Sequence, residues 1–202
     1  MWGLARIAAL GAALALAGCQ TVANTLSQND IAAMKLTGVT VSYAPDARVQ
    51  WEDGTRAYAA SKAISNDQVA TITDTPEAKA YVQNLLAAKI KGSVESQMAG
   101  QLIGTRPVRL DIVVRSFYIP SAVQSVLIGG NRGMTATANL VDARTGAVII
   151  AHPDLSVNMA AGGGVLGTVV QAAVDSALSQ NVADQVVNLY GKNYREWLIR
   201  GA

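Results

Sequence analysis

Few residues in this 202-residue chain have the types and spacing that chemistry requires. Cys19 is the only thiol and His152 the only imidazole, and a G-x-G-x-x-G run occupies residues 162–167. That run follows a strand-like stretch and opens a helix-like one, as a dinucleotide cradle would. A dinucleotide fold also needs a second, parallel strand after the helix, with an acid at its end. Here the helical pattern continues to the C-terminus, and Asp184, at about the right spacing, falls inside it. The glycines therefore read as a loop of small residues between the last strand and the last helix, with contact to a partner as the functional alternative. His152 has Asp154 two residues on and no evident third ligand, so it reads as a strand-end or turn residue rather than a metal ligand. No G-x-S-x-G elbow exists to present a nucleophilic serine. Paired carboxylates for glycan cleavage are a spatial property, and the 14 acids fall mostly on polar faces. No catalytic residue, metal or cofactor is assigned, and the chain is expected not to be an enzyme.

The thiol is the exception. Before it stand Arg6, the only charge ahead of residue 30, and an apolar run from Ile7 to Ala17. That run is short of the roughly 20 apolar residues a bilayer span needs. A charged start, a short apolar core and small residues at the end describe a secretory signal peptide. Leu16-Ala17-Gly18-Cys19 resembles the lipobox of bacterial lipoproteins. The resemblance implies thioether attachment of a diacylglycerol to Cys19, cleavage of residues 1–18, and acylation of the new amine. Sulfur suits this step because the thiolate is a strong nucleophile. Two or three acyl chains, at about 0.8 kcal/mol per buried CH2, make a lasting anchor. Gln20 rather than Asp follows Cys19, which by the same resemblance favours the outer membrane, facing the periplasm.

Loss of residues 1–18 removes Arg6 and no other charge, taking the formal charge from +2 to +1. A nucleic-acid binder would show a basic face, and soluble nucleotides are scarce outside the inner membrane. Neither nucleic acid nor nucleotide is expected as a partner. A single Cys excludes an internal disulfide, so a core must stabilise the mature chain, and about 180 residues suffice to bury one.

The elements that would position these groups follow from periodicity. Residues 19–34 read as lipidated N-terminus and tether, frayed or partly helical, and 35–202 as one envelope domain. Residues 35–43 alternate as a strand. The 44–75 stretch reads as irregular, with VQW and VATIT as short extended pieces and Glu52-Asp53-Gly54 as a turn. Thr75-Pro76-Glu77 starts a helix, whose apolar stripe runs from Ala78 through Leu102 at a period near 3.6. Gly104 with Pro107 is read as its stop. Residues 107–120 alternate Val108, Leu110, Ile112 and Val114 against Arg109, Asp111 and Arg115, which is a strand with one wet face. Residues 134–143, a turn over Asp142–Gly146, and a further strand bulged at Pro153 complete a meander. A long helix follows from Leu166, with Gly191 as a possible stop and Tyr194, Trp197 and Leu198 as an aromatic cap. The fold class is α+β: one domain with an antiparallel sheet in the order strand, helix, three-strand meander, helix, and two long helices on one face.

One connection is unusual. Residues 121–133 (SAVQSVLIGGNRG) place Val123, Val126, Leu127 and Ile128 in a segment expected to be exposed, with Arg132 as a charged tip and glycines as a hinge. They read either as cover for the sheet edge or as a loop that docks on a partner or a membrane. The block from Gly104 to Ile149, with its Gly-Thr-Arg-Pro-Val strand, Gly-Gly loop and Asp-Ala-Arg-Thr-Gly turn, is similar to a group of alphaproteobacterial lipoproteins with no known activity. More distantly, the element order with a lipobox resembles curli-secretion-channel and TolB-N-terminal-like lipoproteins, and auxiliary lipoproteins of envelope transporters. The expectation is a lipid-anchored protein acting by binding, as accessory or scaffold of an outer-membrane or periplasmic assembly, with an envelope protein as partner and a homo-oligomer as one possible form. Carriage of a lipid or small hydrophobic ligand is the alternative, and an envelope hydrolase the third reading.

Overall fold

In the computed structural model, a long strand leads through a helical crossover into a three-strand meander, and a long helix closes the chain. The structure describes residues 22–121, 130–160 and 165–200, with side chains in the last helix over 182–199. The elements are α1 (Gln28–Ala33), β1 (Met34–Trp51), α2 (Glu52–Ser61), a 3-10 turn at Asn66–Gln68, α3 (Val69–Ile72), α4 (Pro76–Met98), β2 (Arg106–Ile119), β3 (Asn131–Asp142), β4 (Val148–Ala160) and α5 (Val165–Arg200). The chain is a single α+β domain built on one four-stranded sheet of order β1-β2-β3-β4. The sheet is mostly antiparallel. β1 and β2 form its parallel pair, because a helix joins them and returns the chain to the same end.

The expected alternation in β2 is observed: Val108, Leu110, Ile112 and Val114 are buried, and Arg109 pairs with Asp111 on the other face at 2.6 Å. A register shift between Val114 and Ser116 then turns Phe117 and Ile119 inward. The α4 stripe of Ala78, Val82, Leu86, Ile90, Val94 and Met98 is buried, and the Thr75 hydroxyl caps its first turn by accepting from the Ala78 amide. α5 lies parallel to α4, with Lys89 meeting Asp184 and Ser93 meeting Asn188. Tyr190, Tyr194 and Leu198 fill the space between α5 and the sheet.

Several expectations are corrected. The 44–75 stretch is ordered: β1 runs unbroken to Trp51, absorbing Pro45 in a register shift between Tyr43 and Arg48, and VATIT lies mostly in α3 rather than a strand. Glu52-Asp53-Gly54 is the first turn of α2, and a side chain on Gly54 would approach the Trp51 ring to 2.7 Å. α4 ends at Met98 and is followed by Gly100 at φ +76. Gly104 serves instead as a close-packing site, where a Cβ would overlap the Ala33 backbone. Gly191 does not end α5, which continues to Arg200; it lets α4 approach, with Gln97 Cγ 3.2 Å from where a Cβ would sit. The Asp142–Gly146 turn forms as read, with Gly146 at φ +74 donating its amide to the Asp142 carbonyl at 2.8 Å.

Candidate functional sites at the two ends of the sheet

The topology gives the domain two distinct ends. The starts of β1, β2 and β4 and the end of β3 meet at one end, where Met34 opposes Arg106, Val108 opposes Asp142 and Val141 opposes Val148. α1 and the C-terminal turns of α4 and α5 lie there too. The other end gathers Trp51, Ile119, Asn131 and Ala160. The two are separated by the length of β2, 14 residues, or about 40 Å at strand rise.

The first end receives the N-terminal segment. The Val22 carbonyl accepts from the Trp197 indole Nε1 at 2.6 Å. Asn24 Nδ2 donates to the carbonyls of Leu198 at 2.7 Å and Trp197 at 3.3 Å. Gln28 Nε2 donates to Ile199 O at 3.2 Å. The last carbonyls of a helix have no intrahelical donors, and Asn24 ahead of α1 and Gln28 at its start supply them. Ser27 and Asp30 close a capping box on α1, and Ile31 is buried. Residues 22–33, expected as a frayed or partly helical tether, are thus built into the body. His152 belongs to this region as an aromatic neighbour: in β4 it opposes Ala138 of β3, and it meets Trp197 edge-on at 4.7 Å. Its Nδ1 lies 3.1 Å from the Pro153 carbonyl, while Asp154 pairs with Arg115 at 2.7 Å. Among the described residues no group of three metal-ligating side chains is present.

The opposite end carries a cleft of about 830 Å³ between the ends of β1 and β2, α2, α3 and the start of α4. Buried apolar residues line it, among them Trp51, Val69, Val82 and Ile119. Its rim is charged in both signs. Glu52 pairs with Arg56, Asp74 with Lys79 at 3.0 Å, and Arg48 adds a third cation. The Ser65 hydroxyl donates to Asp67 and holds that carboxyl below the ordinary aspartate range. A general acid working near neutral pH needs the opposite shift. Asp53, beside Glu52 in α2 but not among the residues lining the cleft, is raised by burial and then by the Glu52 charge. The Trp51 Nε1 is buried with no hydrogen-bond partner among the described residues. An apolar floor with a two-signed rim is the lining that an amphipathic molecule would match. Periodicity does not reveal this cleft, because β1, α2 and α3 are adjacent only once 44–75 is folded.

Of the sequence-derived site residues, Leu16, Ala17, Gly18, Cys19, Val123, Val126, Leu127 and Ile128 lie outside the described residues, as do Gly162, Gly163 and Gly164. Arg132, expected at a loop tip, is in β3 opposite Met159. Gly133, expected as a hinge, is a strand residue whose Cβ would come within 2.6 Å of the Val157 carbonyl. Ser121, the last described residue before the apolar connection, lines the cleft, so that connection leaves the sheet at the end opposite Val22. Among the described residues, no helix is long and apolar enough to cross a membrane.

The fold is thus that of a single α+β domain with a pinned N-terminal segment at one end and a cleft at the other. No protein-family model and no curated protein matches the chain. Solved structures similar to it include protein XCC0632 from Xanthomonas campestris, of family model DUF330, at 16% identity over 59% of this chain and 62% of that one, with a TM-score of 0.37. The chain therefore spans somewhat less than two thirds of that protein. Others are the PelC dodecamer from Paraburkholderia phytofirmans, at 12% identity over 85% and 93% of the two chains with a TM-score of 0.33, and lipoprotein GNA1162 from Neisseria meningitidis, at 18% identity over 70% and 99% with a TM-score of 0.25.

Proposed function

We propose that the chain is a lipid-anchored protein of the Gram-negative envelope, held by acyl chains on Cys19, and that it works by binding as an accessory or scaffold of an outer-membrane or periplasmic assembly. The observation that carries the reading is the sole Cys, placed where a lipobox needs it and followed three residues later by a segment locked onto α5. The anchor would then hold the body rather than a loose tail. The partner-facing surface is the end bearing the cleft and the flanks of the 122–129 connection. Both edge strands carry a proline and a register shift, which discourage pairing of copies through the sheet. Fractionation tests the anchoring: wild type should sediment with outer membranes and Cys19→Ser should be released by osmotic shock. Photo-crosslinkers at Val126 and Leu127 test the partner: recurrent envelope adducts support the surface, and an adduct pattern no different from that of a probe at Thr40 on the sheet face removes it.

The alternative, binding of a small amphipathic or hydrophobic ligand, rests on the cleft and the unsatisfied Trp51 indole in its wall. Native mass measurement of protein extracted from the envelope tests it. A copurifying small molecule lost on Val69→Glu supports it, and an unchanged mass in both proteins counts against it.

A further inference from the structure

Among the described residues only two large hydrophobic side chains are strongly exposed, Ile103 at 77% and Val148 at 58%. Isolated exposed aliphatics are ordinary, but these two share one end of the sheet. Ile103 bridges Lys35 at the start of β1, and Val148 opens β4 just after the Arg144-Thr145-Gly146 turn. Each therefore has an exposed cation nearby, Lys35 and Arg144. It is the same end at which Val22 and Asn24 are fastened to Trp197 and Leu198.

We infer that this end of the domain rests on the phospholipid surface, with Ile103 and Val148 entering the interface and Lys35 and Arg144 meeting lipid phosphates. The inference rests on the lipoprotein reading above. Only Gln20 and Thr21 separate Cys19 from Val22, and those three steps along the chain reach at most about 11 Å. A thioether in the bilayer thus leaves the pinned end no room to stand off. Apolar tips beside cations are what an interfacial surface presents, the aliphatic part entering the acyl boundary and the charge staying at the headgroups. The cleft is then directed into the periplasm, about 40 Å away by strand length.

The orientation is tested on the full-length lipidated protein. Cys19 is consumed by its thioether, so a cysteine introduced as Ile103→Cys, Val148→Cys or Asp67→Cys takes a fluorophore alone. The exposed positions tolerate the exchange without loss of core. In phosphatidylethanolamine and phosphatidylglycerol vesicles, nitroxides on the lipid should quench the labels at 103 and 148 at least about threefold more than the label at 67. Equal quenching at the three positions overturns the orientation. So does shielding of 103 and 148 from both lipid-borne and aqueous quenchers, which would mean that protein covers them. Palmitate incorporation, measured on the same preparations, separates the two layers: label present without the quenching contrast sinks the orientation alone, and absence of label sinks the anchoring beneath it.

Discussion

Tyr190 and Tyr194 show how much single groups differ in this core. Both are buried on α5, and burial raises both phenols well above the ordinary tyrosine range. Tyr190 donates to the Ala136 carbonyl at 3.4 Å, whereas the Tyr194 hydroxyl has no partner among the described residues. A buried polar group without a partner costs stability, and its removal is neutral or favourable. Tyr194→Phe should therefore leave the urea midpoint unchanged or raise stability by up to about 1 kcal/mol; a loss larger than that would show that the hydroxyl is satisfied. Asn24→Ala should have the opposite sign. It strips the Trp197 and Leu198 carbonyls of their side-chain donor, at about 1 kcal/mol, and amide exchange should quicken across residues 22–28.

Acid sensitivity also belongs to named residues. Asp111 is held below the ordinary value of 3.8 chiefly by its hydrogen bonds from Arg109, with Thr40 adding another. Asp142 is lowered first by the Arg144 backbone amide and then by Arg106. Carboxyls with lowered folded-state values contribute stability that is complete above the unfolded value and lost as pH falls through the folded one. Stability should fall below about pH 4, and Asp111→Asn should flatten that limb in acid denaturation; an identical pH profile in wild type and variant would rule out the assignment.

At the scale of elements, legibility followed periodicity. α4 and α5 were readable because each keeps one apolar period over many turns, and β2 and the β3–β4 hairpin because alternation and turn residues mark them despite their register shifts, with Thr75-Pro76 and Gly146 marking boundaries. α2, α3 and the second half of β1 were not. Pro45 and the mixed polarity of 44–75 hide their periods, and Trp51 and Gly54 show their purpose only when the ring covers the glycine. Gly191 and Gly104 carried the wrong meaning for a related reason: a glycine signals a stop or a close approach equally well, and the neighbour decides. Gly191→Leu should accordingly separate α4 from α5, costing about 1–3 kcal/mol as overpacking does, while α5 keeps its helical length. Loss of helix by circular dichroism in a still-folded protein would restore the reading of Gly191 as a terminator.

For the whole molecule, the sequence offers a proposal for one end and little for the other. Lipidation of Cys19 can be proposed from sequence because a lipobox is a linear motif. The cleft cannot, because its walls come from β1, α2, α3, α4 and β2 together. What the fold adds is the relation between them: a pinned N-terminal segment and exposed aliphatics at one end, and at the other a cleft that Ser121 lines. The central claim is that a single sulfur moors this body. Metabolic labelling with radioactive palmitate tests it most directly. The account requires label in the wild-type chain and none in Cys19→Ser; label retained by the serine variant, or absent from the wild type, contradicts it.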